Sequence, residues 1–237
     1  AVTACSETYP AEEWQFAKKV ANSLGANHIS IFTEELNDSR FVNNPPERCY
    51  YCKSELFGKL QGIAKDQKLR FVLDGANADD TNDFRPGMKA GKDLGIRSPL
   101  QEAGLTKNEI RIIAREENLP NWDKPSQPCL SSRFPYGHAI TIDKLKQVDE
   151  AERFLRDLGF KELRVRHHGN TARIEVPETL IEEIVRPQLR QDIVQKFSSL
   201  GFTYITLDLR GFRSGSMNEI LPKETINGQR ISGEPVR

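Results

Sequence analysis

The first half of the chain alternates short apolar runs with amphipathic segments, a pattern that predicts strands and helices in turn. Strands are predicted over residues 1–5, 28–32 and 70–74. Helices are predicted over residues 10–25, from Cys49 onward, and over 106–118, where Thr106-Lys-Asn-Glu109 forms a capping box. Strands that alternate with helices indicate a parallel sheet covered on both faces.

The pattern changes after Gly137. A strong amphipathic helix is predicted over residues 141–158, followed by two alternating strands, 163–167 and 172–176, joined by the turn His168-Gly169-Asn170. A second helical region over 179–200, interrupted near Pro187, precedes a strand over 204–209. We therefore predict an α/β chain in which residues 1–137 form a parallel-sheet domain. A small α+β domain, with its helices on one face of an antiparallel sheet, follows over residues 138–221, and a loose tail over 222–237.

Charge and composition narrow the function classes. The 237 residues include 34 basic and 34 acidic side chains, a balance that disfavours a broad nucleic-acid footprint. No apolar run approaches the ~20 residues of a membrane span, and no signal-peptide pattern is present. Four cysteines are too few for a disulfide scaffold, and a CxxC pair is typical of metal or redox chemistry in a reducing compartment. We expect a cytoplasmic protein.

The segment 120–137 carries unusual chemistry for a loop. Its four prolines exclude regular helix or central strand, and its aromatic residues argue against disorder. Cys129, Ser131, Ser132 and Arg133 fall within five residues. A loop this long and ordered is usually functional, so we predict an active-site loop in which Cys129 is the reactive or ligating atom.

Three of the four cysteines are candidate metal ligands. Cys49 and Cys52 lie one helical turn apart at a helix start, where a thiolate is favoured, and Cys129 offers a third sulfur. Such a set suits either a zinc site completed by His138 or a cubane iron–sulfur cluster with one open iron. A redox pair or two ordinary cysteines are the alternatives. Cys5, in a predicted buried strand, is expected to be inert.

The segment Asp74-Gly-Ala-Asn77-Ala-Asp79-Asp80 follows a predicted strand. Open α/β sheets bind ligands at the carboxyl ends of their strands, and carboxylates at that edge suit Mg²⁺ bound to phosphates. The alternative is a polar turn in which Asp and Gly serve only the backbone conformation.

Charged side chains of the small domain form a further candidate site. Glu152 falls on the apolar face of its helix, where a carboxylate needs a partner or a metal. The hairpin places four charged residues on one sheet face, namely Arg164, Arg166, Arg173 and Glu175. That face is either a solvated outer surface or a phosphate site. His167 and His168 at the turn are expected to be exposed.

Several motifs together resemble one family, and the likeness extends over nearly the whole chain. They are Cys49-Tyr-Tyr-Cys52-Lys53, Leu73-Asp-Gly-Ala-Asn-Ala-Asp-Asp80, Arg97-Ser-Pro-Leu100, Cys129-Leu-Ser-Ser-Arg-Phe-Pro-Tyr-Gly137 and Arg164-Val-Arg166. In this order and spacing they are similar to the LarE family of ATP-dependent sulfur transferases, which help to build the nickel-pincer nucleotide cofactor of lactate racemase.

The resemblance implies a PP-loop ATP pyrophosphatase domain, of the adenine nucleotide alpha hydrolase-like fold, before the small domain. Such enzymes adenylate a carboxylate of a pyridine-3,5-dicarboxylate mononucleotide with ATP and Mg²⁺, and sulfur then replaces the adenylate. One branch of the family sacrifices a single cysteine. In the other, three cysteines hold a 4Fe-4S cluster whose open iron carries an extra sulfide. The CYYC pair and the Cys-Leu-Ser-Ser-Arg segment resemble the cluster branch. A homo-oligomer is also implied, and a membrane or nucleic-acid partner is not.

The resemblance also implies roles for individual residues. Cys49, Cys52 and Cys129 become cluster ligands, while Ser132 and Arg133 belong to the sulfur-transfer loop. Glu152, Arg164 and Glu183 match polar positions of the small domain that line the same site. Arg133, Arg164 and Arg166 would bind substrate phosphate or developing negative charge, and Glu152 and Glu183 would orient metal or substrate. The ATP-binding residues would be Asp74, Asn77, Asp79 and Asp80.

One family feature is not in this sequence. PP-loop enzymes use an SGGxDS-type loop to cradle pyrophosphate, and no such motif occurs here. We expect a strand, loop and helix of roughly 30 residues upstream of Ala1. The alternatives are a tRNA thiolase of the same superfamily, which the balanced charge disfavours, and a zinc-stabilised binding module without catalysis.

Overall fold

A computed structural model describes residues 1–82, 85–213 and 215–222 of the chain. The N-terminal part contains two parallel strands, β1 (Val2–Cys5) and β2 (Ile29–Phe32), with Val2 opposite Ile29 and Cys5 opposite Phe32. Its helices are α1 (Ala11–Ser23), α2 (Ser39–Val42), α3 (Arg48–Asp66), α4 (Pro86–Asp93), α5 (Pro99–Glu102) and α6 (Lys107–Glu116). The alternation of strand and helix predicted for this part is therefore present.

The predicted strand over residues 70–74 is not a regular strand. It forms a single parallel bridge, Leu73 to Arg97, with Asp74 N–H donating to the Arg97 carbonyl over 2.9 Å. Within the described residues the parallel sheet thus has two full strands, and Phe32 is 77% exposed. The expectation of a sheet covered on both faces is wrong for this part of the chain, because short strands with so few neighbours leave apolar side chains uncovered.

The C-terminal part builds a three-stranded sheet around α7 (Ile142–Asp157). The strands are β3 (Arg164–His168), β4 (Thr171–Glu175) and β5 (Tyr204–Leu207), and the remaining helices are α8 (Ile181–Ile184) and α9 (Pro187–Ser199). β3 and β4 form the predicted antiparallel hairpin, whereas β5 pairs with β4 in parallel. The prediction of a purely antiparallel sheet is wrong, because the two helices between β4 and β5 make a crossover connection that returns the chain to the same end of the sheet.

Helix boundaries follow the local signals closely. Thr106 and Glu109 form the reciprocal capping box predicted for α6, and the Thr141 hydroxyl accepts from Lys144 N–H at the start of α7. Pro187 interrupts the second helical region by opening α9 at a first-turn position. In the part of the chain that the structure describes, none of these helices has the length and apolar character that a membrane crossing requires.

Two hydrophobic cores meet along α7. Leu145 and Val148, in its first half, pack with buried residues of the N-terminal part and of the 130–140 segment, namely Phe41, Leu130, Phe134 and Ile140. Its second half packs through Ala151 and Leu155 against the three-stranded sheet and α9. The predicted boundary between residues 137 and 138 stays a prediction, and α7 is the element that contributes to both cores.

His167 lies inside the protein, contrary to the expectation that it would be exposed. It is 4% exposed, its ring centroid is 5.2 Å from that of Phe134 and 5.5 Å from that of Phe202, and Nε2 is 3.0 Å from Gln147 Oε1. Burial, with a contribution from Lys144, lowers its pKa to about 4. The neighbouring His168 is exposed, as predicted.

The buried His167 makes stability depend on pH. Since the folded-state pKa lies below that of the unfolded chain, the contribution is complete above pH ~6.5 and is lost as the pH falls toward 4, by roughly 3 kcal/mol. Denaturant unfolding at a series of pH values should show that His167→Gln flattens this decline. The exposed His138 is the matched control, and an equal flattening in His138→Gln would contradict the assignment.

Candidate active site

The three predicted thiol ligands converge from two elements. Cys49 and Cys52 occupy the first turn of α3, and Cys129 immediately precedes the 3-10 turn Leu130–Arg133. All four cysteines of the chain are free thiols. Two backbone hydrogen bonds fix the position of the Cys129 loop. Leu130 N–H donates to the Thr8 carbonyl over 2.7 Å, and Gly137 N–H donates to the Asn44 carbonyl over 2.8 Å. These bonds hold the 129–137 segment between the end of β1 and the start of α3.

The three thiols act on one another electrostatically. Burial raises the pKa of Cys49, against the opposing effect of the Arg48 cation, and negative charge on Cys129 raises it further. Burial also raises the pKa of Cys52, followed by the charges of Glu35, Cys129 and Cys49. Cys49 and Cys52 therefore favour the neutral thiol form in the absence of a cation. An electron-poor metal centre is the partner that would draw them into the thiolate state.

Among the described residues, no group of three or more His, Cys, Asp or Glu side chains is arranged to hold a metal ion, and His138 is exposed. A zinc site would require sulfurs about 2.3 Å from one centre, whereas a cubane cluster presents a separate iron to each cysteine. The zinc and the cluster interpretations of the three cysteines both stay predictions.

Glu35 is a member of this neighbourhood that sequence reasoning missed. It is 3% exposed, and its Oε1 accepts from Ser6 Oγ over 2.7 Å and from Thr8 Oγ1 over 2.6 Å. Its Oε2 is buried without a hydrogen-bond partner. Nothing in the local sequence pattern distinguishes this glutamate from an exposed one, because its burial depends on the tertiary contact between the end of β1 and the 35–37 turn.

Arg48 and Asn44 were also missed. Asn44 is fully buried in the left-handed region with a φ of 53°, and its amide donates to the Phe134 and Pro135 carbonyls over 3.2 and 2.7 Å. Arg48 is 4% exposed, donates to Asn44 Oδ1 over 2.6 Å and lies over the Tyr136 ring. The available signals were an asparagine, a residue that tolerates positive φ, and an arginine directly before the CxxC pair.

Glu152 has the partner that its place on an apolar helix face required. Arg133 Nε and Nη2 each donate over 2.8 Å to one of its carboxylate oxygens, and both side chains are 1% exposed. Val165 N–H donates to Oε1 over 3.0 Å. The Arg133 cation holds the pKa of this carboxyl below its usual range against the opposing effect of burial. With both oxygens engaged, Glu152 is placed to position Arg133.

The remaining donors of Arg133 organise the loop that carries Cys129. Its Nη1 donates to the Pro128 carbonyl over 2.9 Å, to the Cys129 carbonyl over 3.2 Å and to Ser132 Oγ over 2.8 Å. The backbone of Cys129 and the side chain of Ser132 are thus tied to one guanidinium. A displacement of Arg133 would move both residues together.

The charged face of the hairpin is buried, so its interpretation as a solvated outer surface is wrong. Arg166 pairs with Glu175 over 3.0 and 2.9 Å, and Glu175 has no exposed surface. Arg166 also donates to the Ser132 carbonyl over 2.7 Å and to Ser216 Oγ over 2.7 Å. The 130–133 turn covers this end of the sheet, and for that reason the face is enclosed.

Arg164 differs from the other arginines of the hairpin. It is 8% exposed, donates to the Leu163 and Ser126 carbonyls over 2.6 and 3.3 Å, and lies over the Phe212 ring. It forms no ion pair with a carboxylate in the part of the chain described. Burial, together with the nearby positive charge of Arg133, lowers its pKa to about 10. A buried guanidinium with only neutral partners is suited to an anionic ligand.

A small basic cavity opens beside these residues. Its volume is about 120 Å³, and the cationic or basic side chains along it are those of Arg133, Arg166, His168, Arg173 and Arg213. Arg213 is paired with Glu219 over 3.0 Å at its rim. The predicted phosphate-binding arginines Arg133 and Arg166 therefore line one cavity.

Each of the four polar side chains in the Asp74–Asp80 segment accepts a hydrogen bond through one oxygen, from the local turn, from Ser98 or from the start of α6. Asp74 Oδ1 accepts from Ala76 N–H and from Ser98 Oγ over 3.2 and 2.6 Å. Asn77 Oδ1 accepts from Asp79 N–H, and Asp79 Oδ2 accepts from Lys107 N–H. Asp80 Oδ2 accepts from Asn77 N–H, and its Oδ1 lies 2.9 Å from Arg85 Nη2. The turn predicted as the alternative is present, and the binding role of these residues stays a prediction.

Glu183 stands apart from the other predicted site residues. It is exposed on the short helix α8, and within the described residues it makes no ion pair with the arginines of the hairpin. Its assignment to metal or substrate orientation stays a prediction.

Free thiols, buried arginine–carboxylate pairs and a basic cavity thus meet around one loop of an α/β chain. This arrangement is typical of an enzyme that handles an anionic substrate beside a thiol centre.

Three curated proteins place the chain more closely. It is 44% identical over 226 residues to the pyridinium-3,5-bisthiocarboxylic acid mononucleotide synthase of Lactiplantibacillus plantarum, covering 95% of this chain and 81% of that protein. It is 46% identical to an uncharacterized protein of Synechocystis, covering 94% and 83% of the two chains. A Methanocaldococcus jannaschii protein is 32% identical, with 85% and 77% covered. No protein-family model matches.

The chain belongs to the LarE family of sulfur transferases and is an enzyme.

The Arg133–Glu152 pair can be tested by breaking it. Glu152→Gln removes the counter-charge of a buried guanidinium, and we expect a loss of about 3–5 kcal/mol in the free energy of unfolding, measured with denaturant. Glu150→Gln is the matched control on the same helix, because Glu150 is exposed and meets Lys196 at only 3.7 Å. Equal stabilities for the two variants would contradict a role of the pair in the fold.

Proposed function

We propose that the chain transfers sulfur to the carboxylates of a pyridinium-3,5-dicarboxylate mononucleotide in nickel-pincer cofactor synthesis, using ATP, with the sulfur supplied through a 4Fe-4S cluster. The observation that carries the proposal is the convergence of Cys49, Cys52 and Cys129 in a chain 44% identical to a synthase of the bisthiocarboxylic product. A sacrificial mechanism would need one cysteine. Three neighbouring free thiols favour a cluster.

The thiol set fits a cluster of this kind by its chemistry. All three sulfurs are free and half-buried, Cys129 acts electrostatically on both Cys49 and Cys52, and Cys49 acts on Cys52. Cys49, Cys52 and Cys129 would hold three irons, and a cluster so bound would supply sulfur as sulfide at its fourth iron. What the chain itself contributes is the placement of the Cys129 loop, through Arg133 and the Leu130–Thr8 backbone bond.

The substrate carboxylate would first be activated. One of its oxygens attacks the α-phosphorus of ATP, which forms an acyl adenylate and releases pyrophosphate. A sulfur nucleophile then attacks the carbonyl carbon, and AMP leaves with the electron pair of the broken C–O bond. In both steps negative charge develops on oxygen, and pre-placed cations stabilise it.

Arg164 is the residue best suited to that charge. Its guanidinium is buried and donates only to carbonyl oxygens among the described residues, so an anion would be its first directly bonded charged partner. Arg133 and Arg166 already pair with Glu152 and Glu175. Their guanidinium groups would still add positive charge to the wall of the basic cavity. The Ser132 hydroxyl, which accepts from Arg133, would face the same ligand.

ATP and Mg²⁺ are assigned to the segment that follows the Leu73 bridge. Asp74 uses one carboxylate oxygen in the turn and toward Ser98, and Asp79 uses one toward Lys107 N–H, which leaves the other oxygen of each available to a hard cation. Asp80 and Asn77 support the turn from within. A homo-oligomer is part of the proposal as well, on the family resemblance alone.

The proposed reaction has a direct assay. Anaerobically reconstituted protein, incubated with ATP, Mg²⁺, sulfide and the pyridinium dicarboxylate mononucleotide, should release pyrophosphate and yield a thiocarboxylate with the mass of one oxygen-to-sulfur exchange. Pyrophosphate release that does not depend on the pyridinium substrate, or a thiolated tRNA as the product, would contradict it.

Cys129→Ser separates a ligand from a sacrificial donor. As a cluster ligand, Cys129 is needed for iron binding, so the variant should retain well under half the iron and sulfide of the wild type and lose its visible charge-transfer absorption. Cys5→Ala is the matched control, because Cys5 is a buried cysteine of β1 and is not among the thiols that act on Cys49 or Cys52. Full iron content in Cys129→Ser would overturn the ligand assignment.

A further inference from the structure

Arg48 is a buried cation for which the described residues offer no counter-charge. Its side chain is 4% exposed, its Nη1 donates to the neutral Asn44 amide over 2.6 Å, and its Cζ lies 5.3 Å from the centre of the Tyr136 ring. Its Nε is buried without any hydrogen-bond partner. Within residues 1–82, 85–213 and 215–222 no carboxylate comes within ion-pair distance of it.

Such an arrangement is costly in isolation. A buried charge is retained when it is paired or when it serves a ligand, since an unpaired ion in the protein interior loses its hydration without compensation. Arg133 and Arg166 of the same molecule, by contrast, each have a bidentate carboxylate partner. Arg48 therefore lacks a partner that the fold supplies elsewhere.

The position of Arg48 identifies the kind of partner. It directly precedes Cys49 in the first turn of α3. Asn44, which holds Arg48, also donates to the Phe134 and Pro135 carbonyls of the Cys129 loop. The helix that carries Cys49 and Cys52 and the loop that carries Cys129 are thus both linked to this guanidinium.

We propose that Arg48 is the buried counter-charge of the three-cysteine site, a positioning residue whose guanidinium offsets the net negative charge of a cluster bound by Cys49, Cys52 and Cys129. The inference rests on the proposed cluster. Three thiolates bring more negative charge than a cubane core neutralises, and charge near a cluster sets its reduction potential.

The test compares Arg48→Gln and Arg48→Lys with the wild type after anaerobic reconstitution. We measure iron and sulfide per chain, the rate of iron loss to a chelator, and the midpoint potential by spectroelectrochemistry. Arg48→Gln should lose iron roughly tenfold faster, the effect expected of one unit charge in a partly desolvated site, and its potential should become more negative. Arg48→Lys, which keeps the charge, should match the wild type in both measurements.

Arg40→Gln is the matched control. Arg40 is also an arginine over a tyrosine, with its Cζ 4.8 Å from the Tyr51 ring centre, but its side chain is 67% exposed and paired with Asp38 over 2.7 Å. It should behave as the wild type. Thermal unfolding of the metal-free proteins checks that each variant folds, and if Arg48→Gln does not, Arg48→Lys decides: a wild-type potential supports the inference, and a shifted one overturns it.

The outcomes separate the counter-charge role from the cluster itself. Equal iron retention and equal potentials for Arg48→Gln and the wild type would overturn the role of Arg48 while leaving the cluster in place. Loss of iron in Arg48→Lys as severe as in Arg48→Gln would show that guanidinium geometry, and not charge, is required. A wild-type protein that takes up no iron would instead remove the cluster, and the proposed function with it.

Discussion

The bidentate pair between Arg133 and Glu152 is the interaction on which the rest of the site depends. Two charges that are almost fully enclosed are stabilised only when their geometry is good and their remaining atoms are bonded, and here both conditions are met. The pair joins α7 and β3 to the Cys129 loop, since the same guanidinium also holds the Cys129 carbonyl and the Ser132 hydroxyl. The ion pair therefore restrains the Cys129 loop, which has little regular structure of its own, against α7 and β3.

Buried charges around this loop fall into two groups with different physical consequences. Arg133 and Arg166 are neutralised by the bidentate carboxylates of Glu152 and Glu175, so their main effect is on geometry. Arg48 and Arg164 form no ion pair in the described part of the chain and donate only to amide or carbonyl oxygens, so their field is less fully neutralised. One of these cations lies beside the thiols and the other beside the hairpin. The unpaired arginines therefore contribute most to the positive potential of the site, and the paired arginines fix the shape of the site.

Local signals predicted local structure well, and they failed where a distant segment decides the outcome. The capping box at Thr106, the α7 helix and the 163–176 hairpin follow from periodicity and turn chemistry within a few residues. The 70–74 segment has the composition of a strand, but a strand requires neighbours along its length, and it has one bridge. His167 has the alternation of its strand, yet its burial depends on Phe134, 33 positions earlier in the sequence. Among the site residues, Glu152 was identifiable because a carboxylate on an apolar helix face needs a partner, whereas Glu35 and Arg48 carry no such mark in the sequence.

The Asp74–Asp80 segment shows why a turn and a binding site are compatible interpretations of one sequence. A carboxylate has two oxygens, and an Asx-type turn uses one of them to accept a backbone N–H. Among the described residues, Asp74 bonds through one oxygen, to Ala76 N–H and Ser98 Oγ, and Asp79 bonds through one oxygen to Lys107 N–H at the start of α6. These bonds restrict each side chain, so a ligand at the second oxygen would cost less side-chain entropy. Asp80 uses both of its oxygens and so is a supporting residue of the turn. The residues of this segment are therefore unequal: Asp74 and Asp79 have the freedom to bind a cation, and Asn77 and Asp80 have the contacts to hold them in place.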